Sequence, residues 1–80
     1  MEAVELLNDA FVKALGVPVG GNFDLLAYGE TGGWDSVAHM ALIAAIESNF
    51  DIMLATDDVI DMSSYSRAKE IVAKYGGSFA

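Results

Sequence analysis

Ser36, His39 and the carboxylates are the side chains of this chain that could take part in chemistry. The sequence has no Cys and only one His, which excludes disulfides, thiol nucleophiles and metal sites built from thiolates or paired imidazoles. The acidic run DDVID at 57–61 lacks the alternating oxygen ligands and the glycine of a calcium loop. We therefore expect no metal site.

Asp35, Ser36 and His39 are the residue types of a hydrolytic triad, but all three fall within one turn of a single predicted helix. The nucleophile-elbow motif Gly-x-Ser-x-Gly is absent, and no separate oxyanion donor is evident. We expect no catalytic residue and no enzymatic activity. A small hydrolase that uses Ser36 and His39 remains a third hypothesis.

Ser36 stands at the start of the predicted second helix. Asp and Ser are both ordinary N-cap residues, because their oxygens accept hydrogen bonds from free N–H groups, and position alone favours capping.

Apolar residues at helical spacing predict four helices, at about 2–15, 36–50, 57–61 and 65–75. In the first, Val4, Leu7, Phe11, Ala14 and Leu15 form the expected buried stripe. These segments predict a single all-α domain over residues 1–80, an irregular antiparallel four-helix bundle with three main helices and one short helix.

The connecting segments carry capping and anchoring residues. Residues 16–35 are rich in glycine and predict a long loop that its own large apolar residues hold on the core. We expect caps at Thr56 and at Ser63 or Ser64, and helix ends at Gly16 with Pro18 and at Gly76 with Gly77. The expected loop anchors are Phe23, Leu25, Leu26, Tyr28 and Trp34.

The second helix carries two apolar stripes, whereas a chain of 80 residues can hardly enclose a whole helix. One stripe should be buried and the other should be a docking surface for a partner. We expect the buried stripe to be His39, Leu42, Ile43, Ile46 and Phe50, and the docking stripe to be Val37, Met40, Ala41, Ala44 and Glu47.

Twelve acidic and four basic residues give a formal charge of −8, which repels phosphate backbones and anionic lipid. We expect no nucleic-acid or membrane partner, and encounters with basic protein surfaces instead. There is no basic N-terminal region followed by an apolar core and no long apolar run. These features predict a cytoplasmic monomer.

The segment GWDSVAHMALIAAIESNFDI at 33–52 resembles the motif of acyl carrier and peptidyl carrier proteins, whose Asp-Ser pair opens the second helix. The sequence LGV at 15–17 is similar to the end of that family's first helix, and SSYSRAKEIV at 63–72 is similar to its last helix. The resemblance covers nearly the whole chain and implies a bundle of the acyl carrier protein type.

That resemblance implies that Ser36 carries a 4′-phosphopantetheine arm, which a phosphopantetheinyl transferase supplies from coenzyme A. The transferase provides the Mg²⁺ and the base. The thiol of the arm then holds acyl or aminoacyl groups as thioesters in fatty acid, polyketide or nonribosomal peptide biosynthesis. Acyl- or aminoacyl-activating and transferring enzymes are the further implied partners. The alternative is a helical interaction module of the same fold in which Ser36 is only a helix cap.

Partner recognition is expected on the second and short third helices. The exposed face of the second helix holds only one acidic residue, Glu47, whereas fatty-acid carriers usually show several there. We therefore expect apolar contacts and a specialised pathway. His39 and Trp34 are candidate contacts of the arm, although both are better explained as packed side chains, His39 beneath the loop and bonded to its backbone. The expected recognition residues are Asp35, Val37, Met40, Ala41, Ala44, Glu47, Ile60 and Asp61.

Overall fold

The computed structural model describes residues 2–76. Within that range the chain forms four α-helices and no strand, and the all-α prediction is confirmed. The helices are α1 (Ala3–Leu15), α2 (Ser36–Phe50), α3 (Thr56–Asp61) and α4 (Tyr65–Lys74), and a short 3-10 helix spans Phe23–Leu25. No helix of the described residues is long and apolar enough to cross a membrane.

The α1 helix packs against α2 through residues one turn apart. Leu7, Ala10 and Phe11 are buried, whereas Val4 is 39% exposed, so the predicted stripe of α1 is wrong at its N-terminal end. Val4 lies in the first turn of α1. Asn49 of α2 reinforces the pairing because its side-chain amide donates to the Leu6 carbonyl at 2.9 Å.

Backbone geometry ends the first two helices in the same way. Gly16 adopts the left-handed conformation, with φ of 69°, and its N–H donates to the Val12 carbonyl. Asp51 adopts the same conformation after α2, with φ of 54°, and its N–H donates to the Glu47 backbone carbonyl. Asp tolerates this region better than most residues with a side chain, so no glycine is needed there.

The caps of the two later helices differ from each other. Ser64 caps α4 by accepting the Arg67 N–H at 3.1 Å. The predicted cap at Thr56 is wrong: Thr56 is the first residue of α3, its N-cap position is Ala55, and no side chain caps it. Gly76 follows α4, and Gly77 lies outside the described residues.

Aromatic rings fix the long loop to the core. The Phe11 ring meets Trp34 at 5.4 Å and Tyr65 at 5.2 Å between centroids, both edge to face. Phe23 and Leu26 are partly buried against this cluster. Leu25 is 76% exposed and is not the anchor that the sequence suggested. Tyr28 is 44% exposed, and its ring contacts the buried Trp34 edge to face at 6.2 Å.

Main-chain bonds tie the same loop to the start of α4. Tyr28 N–H donates to the Ser63 carbonyl at 2.9 Å, and Tyr65 N–H donates to the Leu26 carbonyl at 3.1 Å. The loop therefore follows the α3–α4 connection and brings Tyr28 close to the start of α2.

Candidate functional site

The start of α2 presents Ser36 without using it as a cap. Asp35 is the N-cap residue, with an extended backbone, and its carboxylate accepts the Ala38 N–H at 2.9 Å. Ser36 is the first helical residue and is exposed. Within residues 2–76 its hydroxyl makes no hydrogen bond. The explanation of Ser36 as a helix cap is therefore wrong, because Asp35 fills that role.

His39 lies one turn into α2, and both nitrogens of its ring are bonded. The Trp34 indole Nε1 donates to His39 Nδ1 at 3.0 Å, and His39 Nε2 lies 2.8 Å from the Val59 carbonyl. An indole N–H only donates and a carbonyl only accepts, so the proton of the neutral ring is on Nε2. His39 thus joins the loop to α3, whereas the sequence suggested a bond to the backbone of the loop.

Neither nitrogen of His39 is free to remove a proton from Ser36. A general base must offer an unprotonated nitrogen within hydrogen-bond reach of the hydroxyl, and Nδ1 is already committed to Trp34. The arrangement gives no support to a hydrolase that uses Ser36 and His39.

An open, mostly apolar groove of about 400 Å³ runs beside Ser36 between α2 and the α3 region. Val59 and Ile60 of α3 form one side, and Met62 closes the groove from the core, where it is fully buried. Trp34 is 1% exposed and does not line the groove, as expected of a packed side chain. The lining residues are Tyr28, Ser36, His39, Met40, Val59, Ile60, Met62 and Ser63.

The residues expected to recognise partners are exposed, with one exception. Val37 is 78% exposed, Met40 60% and Ile60 72%. Met40 and Ile60 line the groove with Ser36, and Val37 follows Ser36 in α2. We call Val37, Met40 and Ile60 the apolar patch. Ala41, Ala44 and Asp61 are also exposed.

Glu47 is the exception. Its carboxylate accepts the Leu54 N–H at 2.8 Å, and the residue is only partly exposed. This bond holds the segment after α2 and places the buried Leu54 in the core. Glu47 thus positions the chain that leads to α3 and is not a free charge for recognition.

A cluster of polar groups joins α3 to the end of α4. Asp58 is 8% exposed, and its carboxylate accepts bonds of 2.5 Å from Lys74 Nζ and from the Tyr75 hydroxyl. These bonds, from Lys74 first and Tyr75 second, lower the pKa of Asp58 and outweigh the opposing effect of desolvation. The same pairing raises the pKa of Lys74. The Tyr75 hydroxyl also accepts the Ala55 N–H at 2.9 Å.

The cations of the described chain are already engaged. Lys13 pairs with Asp9, Lys74 with Asp58, and Arg67 with Glu70 at 2.5 Å. Lys69 lies over the Tyr65 ring, 5.4 Å from its centroid. The surplus acids therefore give residues 2–76 a negative field, and within that range no group of three or more His, Asp or Glu side chains could hold a metal ion.

The fold and site define a small all-α protein whose exposed serine opens a helix beside an apolar groove. Comparison with protein-family models, curated proteins and solved structures finds no match to this chain.

Proposed function

We propose that this chain is an acyl carrier protein of a specialised pathway that bears acyl or aminoacyl groups on a 4′-phosphopantetheine arm joined to Ser36. One observation carries the proposal. The Ser36 hydroxyl is exposed and makes no hydrogen bond within the described chain, because Asp35 caps the helix in its place. A serine that neither caps nor packs is available for modification.

The surroundings of Ser36 fit a phosphodiester. The N–H groups of Ser36 and Val37 lie in the first turn of α2, where helical amides have no acceptor within the helix. These amides and the helix dipole favour a negative group at that point. The Asp35 carboxylate is next to the site, but it is directed to the Ala38 N–H.

The groove fits the uncharged portion of such an arm, because its lining is largely apolar and it begins at Ser36. The arm supplies a terminal thiol, which gives a Cys-free chain its thioester chemistry. The chain itself presents the hydroxyl on a rigid helix and offers a docking surface. The transferase contributes the Mg²⁺ and the base, and we propose no catalytic residue here.

The apolar patch supports recognition by contact with apolar partner surfaces. Val37 and Met40 lie on α2 and Ile60 lies on α3, and Met40 and Ile60 line the groove with Ser36. A transferase that covers this patch would bring its active site over the hydroxyl. With Glu47 bonded to Leu54, the recognition face of α2 has even fewer free charges than its sequence suggested. We infer that its enzymes rely on apolar contacts and are not those of ordinary fatty-acid synthesis.

The deciding experiment is incubation with coenzyme A, Mg²⁺ and a broad-specificity phosphopantetheinyl transferase, followed by intact-protein mass spectrometry. We expect a gain of one arm on the native chain and none on Ser36→Ala. Ser63→Ala is the matched control, because Ser63 is exposed and lines the same groove. It should gain the arm like the native chain.

The apolar patch also suits an interaction module that needs no arm. That second candidate predicts no mass gain with any of several transferases while the fold is intact by circular dichroism. Such a result would overturn the carrier proposal.

A further inference from the structure

We propose that Met40 is a reversible oxidation site, at which hydrogen peroxide converts the exposed thioether to a sulfoxide, makes the apolar patch polar and slows docking of the transferase at Ser36. The oxidation itself is argued from the exposure of Met40 in the unmodified chain. Its effect on docking rests on the proposed function.

The methionines of the described chain differ sharply in exposure. Met40 is 60% exposed and Met53 is 84% exposed, whereas Met62 is fully buried in the core. A peroxide must reach the sulfur atom, so the two exposed residues should react directly and Met62 should react only when the chain opens. The chain has no Cys, whose thiolate would otherwise compete for the oxidant.

The reaction is a two-electron oxidation that needs only the thioether and hydrogen peroxide. The sulfur attacks one peroxide oxygen, the S–O bond forms as the O–O bond breaks, and the second oxygen leaves as water. Sulfur is oxidised and the peroxide is reduced. Methionine sulfoxide reductases reverse the step with two electrons from a dithiol, which becomes a disulfide while the sulfoxide oxygen leaves as water.

Of the two exposed methionines in the described chain, one lies at the proposed site. Met40 is one turn after Ser36 in α2 and lines the groove with it. Met53 follows the other end of α2, where the bond from Leu54 N–H to the Glu47 carboxylate holds that segment beside the last turn. Met53 does not line the groove. Oxidation of Met40 therefore alters the surface beside Ser36, and oxidation of Met53 leaves that surface as it is.

The sulfoxide changes the apolar patch because it adds a polar oxygen to an apolar side chain. In the free chain Met40 is largely in contact with water, so the new oxygen stays hydrated and the fold is retained. A partner that covers the patch with an apolar surface must remove that water without supplying a hydrogen-bond donor, which is unfavourable. The sulfoxide carries no net charge, so its effect is separate from that of the chain's negative field.

Peptide mass spectrometry after peroxide treatment tests the reactivity without any transferase. The full unmodified chain is treated with hydrogen peroxide, catalase removes the excess, and each Met is assigned from its own peptide. We expect Met40 and Met53 to be oxidised at least about tenfold faster than Met62, which the native core protects. Equal rates for Met40 and Met62 would overturn the proposal.

The rate of arm attachment tests the effect on docking. Each chain is compared with its own untreated sample, and circular dichroism monitors the fold. We expect a fall of about tenfold in the oxidised native chain and in oxidised Met53→Leu, because a polar group must then be covered without a hydrogen bond. Sulfoxide reductases should restore the rate. Peroxide should have no effect on the rate of Met40→Leu, because Leu is close to Met in volume but cannot form a sulfoxide.

The outcomes distinguish this proposal from the carrier proposal. An unchanged rate after oxidation of Met40, or an equal fall in Met40→Leu, would overturn the role of Met40 and leave the carrier proposal intact. Loss of the helical signal on oxidation of Met40 would also overturn it, because Met40 would then belong to the core. Absence of the arm from every untreated chain would overturn the carrier proposal and, with it, the effect on docking. Peptide mapping would still decide whether Met40 is the reactive residue.

Discussion

The Tyr75 hydroxyl lies between two parts of the α3 region: it donates to the Asp58 carboxylate at 2.5 Å and accepts the Ala55 N–H at 2.9 Å. Asp58 lies within α3 and Ala55 directly precedes it. One phenol therefore fixes the start of a short helix that has no side-chain cap. The position of α3, and with it one side of the groove, depends on a residue that follows α4.

Tyr75→Phe tests this relationship. Removal of the hydroxyl leaves the Ala55 N–H without its acceptor and Asp58 with one donor fewer, so we expect a loss of about 1 kcal/mol in the free energy of unfolding. Urea denaturation measures it. Tyr28→Phe, the same change at an exposed residue, should alter that free energy by less than about 0.5 kcal/mol. Equal values for the two variants would contradict the role assigned to Tyr75.

Acid should weaken the attachment of α3. The pKa of Asp58 is lowered from 3.8 by the bonds from Lys74 and Tyr75, so the carboxylate is stabilised in the folded state. This contribution is fully present above the unfolded value of 3.8 and is lost as the pH falls through the folded pKa, which lies below 3.8. Unfolding measured below about pH 4 should therefore show a shallower pH dependence in Asp58→Asn than in the native chain.

Asp57→Asn is the control for this experiment, because Asp57 is the exposed neighbour in the same helix. Asp9, whose pKa is lowered by its bonds from Lys13 and Asn49, contributes in the same direction. Asp9 is present in both variants, so its contribution is the same in each. The same pH dependence in Asp58→Asn and Asp57→Asn would show that the Asp58 cluster does not stabilise the fold.

Salt should stabilise the chain. The formal charge is −8 and the cations of residues 2–76 are already engaged by acids or by Tyr65, so the remaining acids repel one another. Screening at about 0.1 M salt, where the Debye length is about 10 Å, should raise Tm by about 5 °C, equivalent to about 1 kcal/mol in a domain of this size. Calorimetry measures the change.

NaCl and MgCl₂ at equal ionic strength distinguish screening from binding. Because the described residues hold no group of metal ligands, the two salts should give the same rise in Tm. A larger rise with MgCl₂ would indicate a specific cation site, and no rise with either salt would mean that the charges are too dispersed to matter.

The sequence predicted the helices well because their signals are local. The predicted bounds of α2 are its observed bounds, Ser36–Phe50, since Asp35 provides the cap and neither Gly nor Pro interrupts the segment. The two predicted stripes of α2 also differ in burial. Leu42, Ile43 and Ile46 of one stripe are in the core, whereas Val37 and Met40 of the other are exposed. Helical periodicity defines both stripes, although it does not decide which one faces the core.

The groove could not be predicted in the same way. His39 and Val59 are twenty residues apart, and the bond between them depends on how α3 packs. Tyr28 and Ser63 meet through the course of the loop, which no local pattern encodes. Glu47 looked like a surface charge, because a helical position does not reveal that the chain turns back to place Leu54 N–H against it.

The apolar patch leads to the last prediction, Met40→Glu. Met40 is 60% exposed, so the charge remains in water in the folded state, and we expect the free energy of unfolding to change by less than about 0.5 kcal/mol. In a complex that covers the patch, the charge would replace buried apolar area, and burial of a Met side chain contributes about 1.5–3 kcal/mol. The rate of arm attachment by the transferase should therefore fall at least about tenfold.

Ser48→Glu is the matched control, because Ser48 is exposed on the same helix but lies far from Ser36 along it. It adds the same charge without entering the patch, so both its stability and its rate of modification should remain close to native. A comparable fall in rate for both variants would mean that net charge, and not the apolar patch, controls docking. A loss of about 2 kcal/mol or more in Met40→Glu would show that Met40 packs in the core.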